Sequence, residues 1–242
     1  LSSPFVSIII PFYNDPYVSH AITSALEQTY PNKEIIIVSD GATKHKERLL
    51  PYLRHQGVYL YEKDNGGTAS ALNAGIRIAA GDYIAWLSSD DRFYPNKLEN
   101  QLAYMLPRNG EISFSDYDVI DGSGSVVSQN VTPKYTDVFA FYKAFEHYCP
   151  INGCTVVARK KLLTDLGLFD EALPYTHDYD LWFRAVLSGA DFHYVNEPLI
   201  QYRVHEAMGS MRHLPVIQLE TETTKQRWWP QLSSLIERLG KS

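Results

Sequence analysis

Two runs rich in β-branched residues dictate most of what this chain can become. FVSIII at positions 5–10 and EIIIVS at 34–39 are nearly continuous apolar runs. Each therefore reads as a strand buried on both faces, the pattern of a parallel sheet covered by helices. Pro11 is expected to end the first strand, and Phe12-Tyr13-Asn14-Asp15-Pro16 to form a loop. Val18, Ile22, Ala25 and Leu26 then recur at helical spacing. Residues 44–54 predict a solvated helix and VYLYE at 58–62 a third strand. Asp64-Asn65-Gly66-Gly67 is a turn, and residues 68–80 predict a helix carrying Ala71, Leu72, Gly75, Ile78 and Ala79. YIAWL at 83–87 is a fourth strand. Strands that alternate with helices in this way make βαβ units with right-handed crossovers.

Past Pro95 the pattern changes. A helix is expected over 96–106, a strand over 112–119, and a hairpin turn at Asp121-Gly122-Ser123-Gly124 before Val126-Val127. An aromatic helix over 139–148, a strand over 155–158 and a helix over 160–166 closed by Gly167 follow. A helix over 179–187, strands over 192–195 and 199–204 and a helical tail over 215–239 complete the chain. The reading is a single α/β domain over 1–242 with a nucleotide-binding half at 5–106, a mixed half at 107–210 and a tail at 211–242.

Composition removes several function classes. A net charge of −6 argues against a general nucleic-acid binder. No apolar run approaches membrane-spanning length, and no signal-peptide pattern is present. The first residue is Leu1, so a longer parent chain, with an anchor, is compatible with the sequence. Cys149 and Cys154 make no disulfide framework and too few ligands for structural zinc. They read as free thiols in a reducing compartment.

The chemistry centres on GDYIAWLSSDDRFYP at 81–95. Its strand ends in Asp90 and Asp91. In open parallel sheets, ligands sit beyond the carboxyl ends of the strands. Adjacent acids there are costly unless a cation neutralises them, and a divalent ion carrying a phosphate would do so. A solvated turn capped by Asp, with Pro95 opening a helix, competes on equal terms. The first and second strands also end in polar loops, at Asn14-Asp15 and Ser39-Asp40. Asp40 could accept from the imide N–H of uracil, thymine or guanine, or from a ribose hydroxyl. No GxxxxGK[ST] or GxGxxG loop is present, so a diphosphate would need a metal. Asp178 precedes or opens a helix, where an N-cap is its ordinary use.

Six motifs in order then carry a resemblance: VSIIIPFYN at 6–14, DGAT at 40–43, the N-x-G…N-x-G-I…G-D-Y-I segment at 65–84, SDD at 89–91, GLFDE at 167–171 with DYDLWFR at 178–184, and YRVH at 202–205. Together they resemble the family 2 glycosyltransferases of the GT-A fold, over roughly residues 5–209. The resemblance implies a Rossmann-like, mostly parallel sheet with a mixed, acceptor-facing C-terminal half. It implies metal-dependent, inverting transfer from a nucleotide-diphosphate sugar, with UDP favoured, to a saccharide or glycolipid hydroxyl. Polysaccharide, lipopolysaccharide or glycan synthesis would be the setting, in the cytoplasm or at the inner face of a membrane.

By the same resemblance Asp91 and His205 hold Mn2+ or Mg2+. Asp90 assists the metal or holds the ribose. Pro11, Tyr13, Asn14, Asp40, Ser70 and Asn73 contact the donor, and Asp178 is the catalytic base. Asp180 supports the helix start. Two positions depart from the family pattern: Ser88 stands where an additional acid is frequent, and His177 where Glu precedes the base. A sugar nucleotidyltransferase and a catalytically inactive sugar-binding module are the alternatives. The loop at 11–16 lacks the glycine-rich, basic character of the first, and intact Asp91 and Asp178 speak against the second.

Overall fold

The computed structural model describes residues 3–206, 208 and 212–241; the expected boundary between the second half and the tail, at 210–211, lies outside them. Strands β1 (Val6–Phe12), β2 (Lys33–Asp40), β3 (Val58–Lys63) and β4 (Tyr83–Trp86) form a parallel sheet in the order β3-β2-β1-β4. Helices α1 (Val18–Leu26) and α2 (Gly67–Ile78) make two of the crossovers. The second half continues the sheet with β5 (Arg92–Phe93), β6 (Ile112–Ile120), β7 (Val126–Ser128), β8 (Val157–Arg159) and β9 (Phe192–Arg203). The full order is β3-β2-β1-β4-β8-β6-β9-β5, with β7 on β6. β8 is antiparallel to both β4 and β6, whereas β9 runs parallel to β6. Helices α3 (Lys97–Met105), α4 (Val138–Ala144), α5 (Lys160–Asp165), α6 (His177–Leu187) and α7 (Leu214–Leu239) complete the fold.

The continuous apolar runs are explained by burial on both faces. Ile9, Ile36 and Val38 face one core with Leu72 and Ile76 of α2 and Leu181 and Phe183 of α6. Ile8, Ile10, Ile35 and Ile37 face the other, with Ile22 of α1 and Leu98 and Leu102 of α3. Gly75 lets α2 lie close to the sheet, because a Cβ there would come within 2.5 Å of Ile9 Cγ2.

Several expectations are corrected. β1 continues through Pro11 to Phe12, with Pro11 opposite Val38. The Ile9 carbonyl accepts from Leu87 on the β4 side. Pro11, two residues on, faces that side after β4 has ended, so its missing N–H removes no ladder bond. Residues 44–54 form only two short 3-10 turns, Lys46–Arg48 and Tyr52–Arg54, because Pro51 interrupts any longer helix. The two expected strands over 192–204 are one strand, β9, with register shifts opposite Asp116. β5 was not anticipated; it is two residues long and defined by its pairing with β9.

Candidate active site

The parallel strands deliver their C-terminal loops to one edge, where a cleft of about 880 Å³ opens. Pro11, Tyr13, Asp40, Asp90, Asp91, Asp178 and His205 all line it, although they are spread over nearly the whole chain.

Asp91 is 1 % exposed. Its Oδ1 accepts from the Arg203 backbone N at 2.8 Å, and its Oδ2 is buried with no hydrogen-bond partner. Burial first, and then the charge of Asp90, push its carboxyl well above the ordinary range. His205 Nε2 lies 3.2 Å from Asp90 Oδ2. Asp15 also lines the cleft, and burial and the charge of Asp90 raise its pKa too. The acids are therefore crowded into low dielectric, a state that a bound cation would relieve.

Arg203, at the end of β9, holds this corner together and was missed as a functional residue. Its Nε donates to the Asp90 carbonyl at 2.7 Å and its Nη1 to the Asp121 carbonyl at 2.9 Å. Its guanidinium lies 4.3 Å from the Tyr17 ring centroid, and Tyr17 in turn packs against His205. The signal was present in Tyr202-Arg203-Val204-His205, of which only the histidine was given a role. Asp15 had a weaker signal, its place in the loop after the first strand. Among the described residues no three His, Cys, Asp or Glu side chains converge as a metal-ligand group. An ion at Asp91 would therefore be held jointly with other ligands.

Asp178 also lines the cleft. It is not the N-cap of α6, as its sequence position suggested: Thr176 holds that place, and Asp178 is the second helical residue. Its Oδ1 accepts from Tyr179 N at 2.8 Å. Burial raises its pKa to about 6, opposed by this and its own backbone N–H.

Three expected donor residues are not part of the cleft lining. Asn14, at φ 55°, accepts from the backbone N of Thr43 and Lys44 at 2.7 Å and so ties two loops together. Asn73 clasps the Phe169 backbone, with Nδ2 donating to its carbonyl at 2.9 Å and Oδ1 accepting from its N–H at 3.0 Å. Ser70 is buried on α2. Asp40 does line the cleft, but its carboxylate already accepts from Lys63 Nζ at 2.6 Å and from the backbone N of Gly66 and of Gly67, at 2.8 Å for the latter. It fastens the turn that opens α2, with little acceptor capacity left for a base.

Asp180 serves structure, as expected. Its Oδ2 pairs with Arg184, which also donates to the Leu166 and Leu168 carbonyls, and its Oδ1 accepts from Trp228 Nε1 of α7 at 2.6 Å.

A parallel sheet extended by a mixed half, with helices on both faces and an acidic cleft at the strand ends, is the GT-A fold. The same fold is seen in Staphylococcus aureus TarS in complex with UDP-GlcNAc, which superposes with a TM-score of 0.72 at 18 % identity over 89 % of this chain and 65 % of that one. A family model described as glycosyl transferase family 2 matches residues 7–164. The chain belongs to glycosyl transferase family 2. It is 41 % identical over 213 residues to an uncharacterized glycosyltransferase of Rickettsia typhi, a match that spans 85 % of this chain and 65 % of the relative. It is 33 % identical over 181 residues to the Escherichia coli protein WfgD, named a UDP-Glc:alpha-D-GlcNAc-diphosphoundecaprenol beta-1,3-glucosyltransferase, over 73 % of this chain and 68 % of WfgD. The matches cover 65 % of the Rickettsia typhi relative and as little as 34 % of a Rickettsia bellii one.

Proposed function

We propose that this chain transfers a sugar from a nucleotide-diphosphate sugar, with UDP as the favoured nucleotide, to a hydroxyl of a saccharide or glycolipid acceptor, with inversion at the anomeric carbon. The observation that carries this reading is the pairing, across one cleft, of an acidic corner at Asp90, Asp91 and His205 with a lone carboxylate at Asp178 held near pKa 6. A general base works best when its pKa lies near the operating pH.

In this reading the acceptor hydroxyl gives its proton to Asp178 as its oxygen attacks the anomeric carbon. The donor diphosphate lies at the opposite wall and departs from the far side, so attack is a single displacement. Asp91 Oδ2, a buried oxygen with no hydrogen-bond partner, would be the anchor for Mn2+ or Mg2+, and His205, which meets Asp90 in the same cleft, would be a further donor once an ion draws them together. Such an ion supplies charge stabilisation to the leaving diphosphate. Diphosphate oxygens and water would complete its shell. Arg203 keeps the two acids in place, its Nε on the Asp90 carbonyl and its backbone N–H on the Asp91 carboxylate.

The names of the relatives support the donor class: WfgD is named for UDP-Glc, and TarS is seen with UDP-GlcNAc. WfgD is also named for a lipid-diphosphate-linked acceptor, in keeping with a place at a membrane face in polysaccharide or glycan synthesis. No helix among the described residues is long and apolar enough to cross a membrane. The test is nucleotide release from a panel of nucleotide sugars with manganese, offered simple and lipid-linked saccharides. Sugar-dependent release that Asp178→Asn abolishes supports the proposal; equal release by the variant opposes it.

A further inference from the structure

Besides Asp91, two residues that line the cleft carry buried polar atoms with no hydrogen-bond partner. His177 is 4 % exposed, and neither ring nitrogen has a hydrogen-bond partner. The Leu173 and Pro174 carbonyls lie near enough to favour its protonated form, but neither reaches hydrogen-bond geometry. Burial outweighs them and lowers the imidazole pKa to about 4. The ring is therefore neutral near pH 7, with one donor and one acceptor nitrogen. The Trp86 ring lies 5.6 Å away, and its Nε1–H is likewise buried without a partner. Both residues line the cleft, and His177 directly precedes Asp178.

The pair is held firmly. Phe169 packs edge-on against both rings, at 5.8 Å from Trp86 and 5.4 Å from His177. Gly153 lies so close to Trp86 that any Cβ there would overlap the indole. Buried polar groups without partners are rare, and each costs stability. Two of them side by side, just beneath the cleft surface and next to the base, would gain partners from a ligand that both donates and accepts once it displaces the atoms that cover them.

We infer that His177 and Trp86 form a hydroxyl-recognition pair for a sugar ring: Trp86 Nε1–H donates to one ring hydroxyl, and the His177 imidazole exchanges hydrogen bonds with that hydroxyl or its neighbour. This rests on the glycosyl-transfer reading and deepens it by making sugar choice depend on a neutral imidazole beside the base. The transferred sugar and the accepting sugar present the same hydroxyl chemistry, and the experiment separates them.

Calorimetric titration of UDP, UDP-glucose and UDP-GlcNAc, each with manganese, into the wild type, His177→Phe, His177→Gln and Trp86→Phe tests the pair. Free glucose and GlcNAc are titrated into the same proteins loaded with UDP. Phe keeps an aromatic ring and removes the nitrogens, whereas Gln retains a donor and an acceptor. The expected result is UDP affinity within twofold of wild type in every variant. The affinity gained from a sugar should fall about tenfold in both Phe variants and recover in part with Gln. A fall confined to the UDP-sugars assigns the pair to the transferred sugar; one confined to the free sugars assigns it to the acceptor.

Unchanged sugar affinities, together with a raised Tm for His177→Phe, would mean the rings serve packing alone and would overturn the inference. Should the Phe variants not fold, the wild type decides. The His177 ring nitrogens should shift in NMR when a UDP-sugar, or a free sugar beside UDP, is added, but not with UDP alone, and the absence of such a shift overturns the inference. Failure of the wild type to bind UDP at all would instead overturn the glycosyl-transfer reading itself, and this inference with it.

Discussion

Asp178 ties the sequence most directly to the proposed chemistry, and its environment fixes how activity should vary with pH. Its carboxyl titrates near 6 because burial disfavours the ionised form, and only that form can accept a proton. Activity at saturating substrate should therefore rise with pH through about 6 and level above it, as a pH–rate profile would read. Asp178→Asn should lower transfer by roughly 10²–10⁴-fold, the usual loss for a positioned base. The sign for stability runs the other way. A carboxyl whose folded pKa exceeds its unfolded one adds stability fully only below the unfolded value, and this is lost as pH rises through about 6. Near neutrality Asn should thus match or exceed the wild type in Tm, whereas an N-cap role would have made the substitution merely neutral. Asp40 invites the opposite expectation. Its oxygens accept from Lys63, Gly66 and Gly67, so Asp40→Asn should lower Tm by several degrees and weaken binding of UDP, GDP and TDP alike. A change of preference among nucleotides at constant Tm would instead favour base recognition.

At the scale of elements, the long C-terminal helix does more than pack. Glu220 of α7 caps the start of α6: its Oε2 accepts from the backbone N of Tyr175 and of Thr176 and from Thr176 Oγ1, at 3.1, 2.9 and 2.9 Å. Asp178 stands in the turn so held. Glu220→Ala should cost about 1–2 kcal/mol, the range for losing a good cap, and should lower kcat while leaving UDP affinity near wild type. Denaturant unfolding, steady-state nucleotide release and calorimetry would read the three in turn. Gly153→Ala should be harsher, destabilising by about 1–3 kcal/mol because the indole of Trp86 has nowhere to move.

Elements were legible where burial was two-sided. The β1 and β2 runs declared themselves because each of their isoleucines faces one core or the other. β5 could not be read, since two residues carry no periodicity and only β9 makes them a strand. Asn73 was assigned to the donor because nothing local reveals that its amide is bonded to Phe169, 96 positions away. The Glu220 cap was hidden for the same reason. By contrast Asp91, His205 and Asp178, all of which line the cleft, could be picked out because their motifs are short, local and lie at the ends of recognisable strands or at the start of a helix.

Taken whole, the molecule brings Asp15, Asp40, Asp90, Asp91 and Asp178 to one cleft and carries a net charge of −6, so a diphosphate approaches an unfavourable field unless a cation accompanies it. UDP with manganese should raise Tm more than the sum of either alone, by mass action on the folded state. Asp91→Ala should remove that synergy. The central claim, that Asp178 drives displacement on a donor held at Asp90 and Asp91, is tested most directly by one comparison. Nucleotide release from the best UDP-sugar and acceptor is measured for the wild type and Asp178→Asn, with UDP affinity determined on the same samples. The expected result is release reduced at least about a hundredfold with UDP affinity unchanged, and release at wild-type rate by the Asn variant would contradict it.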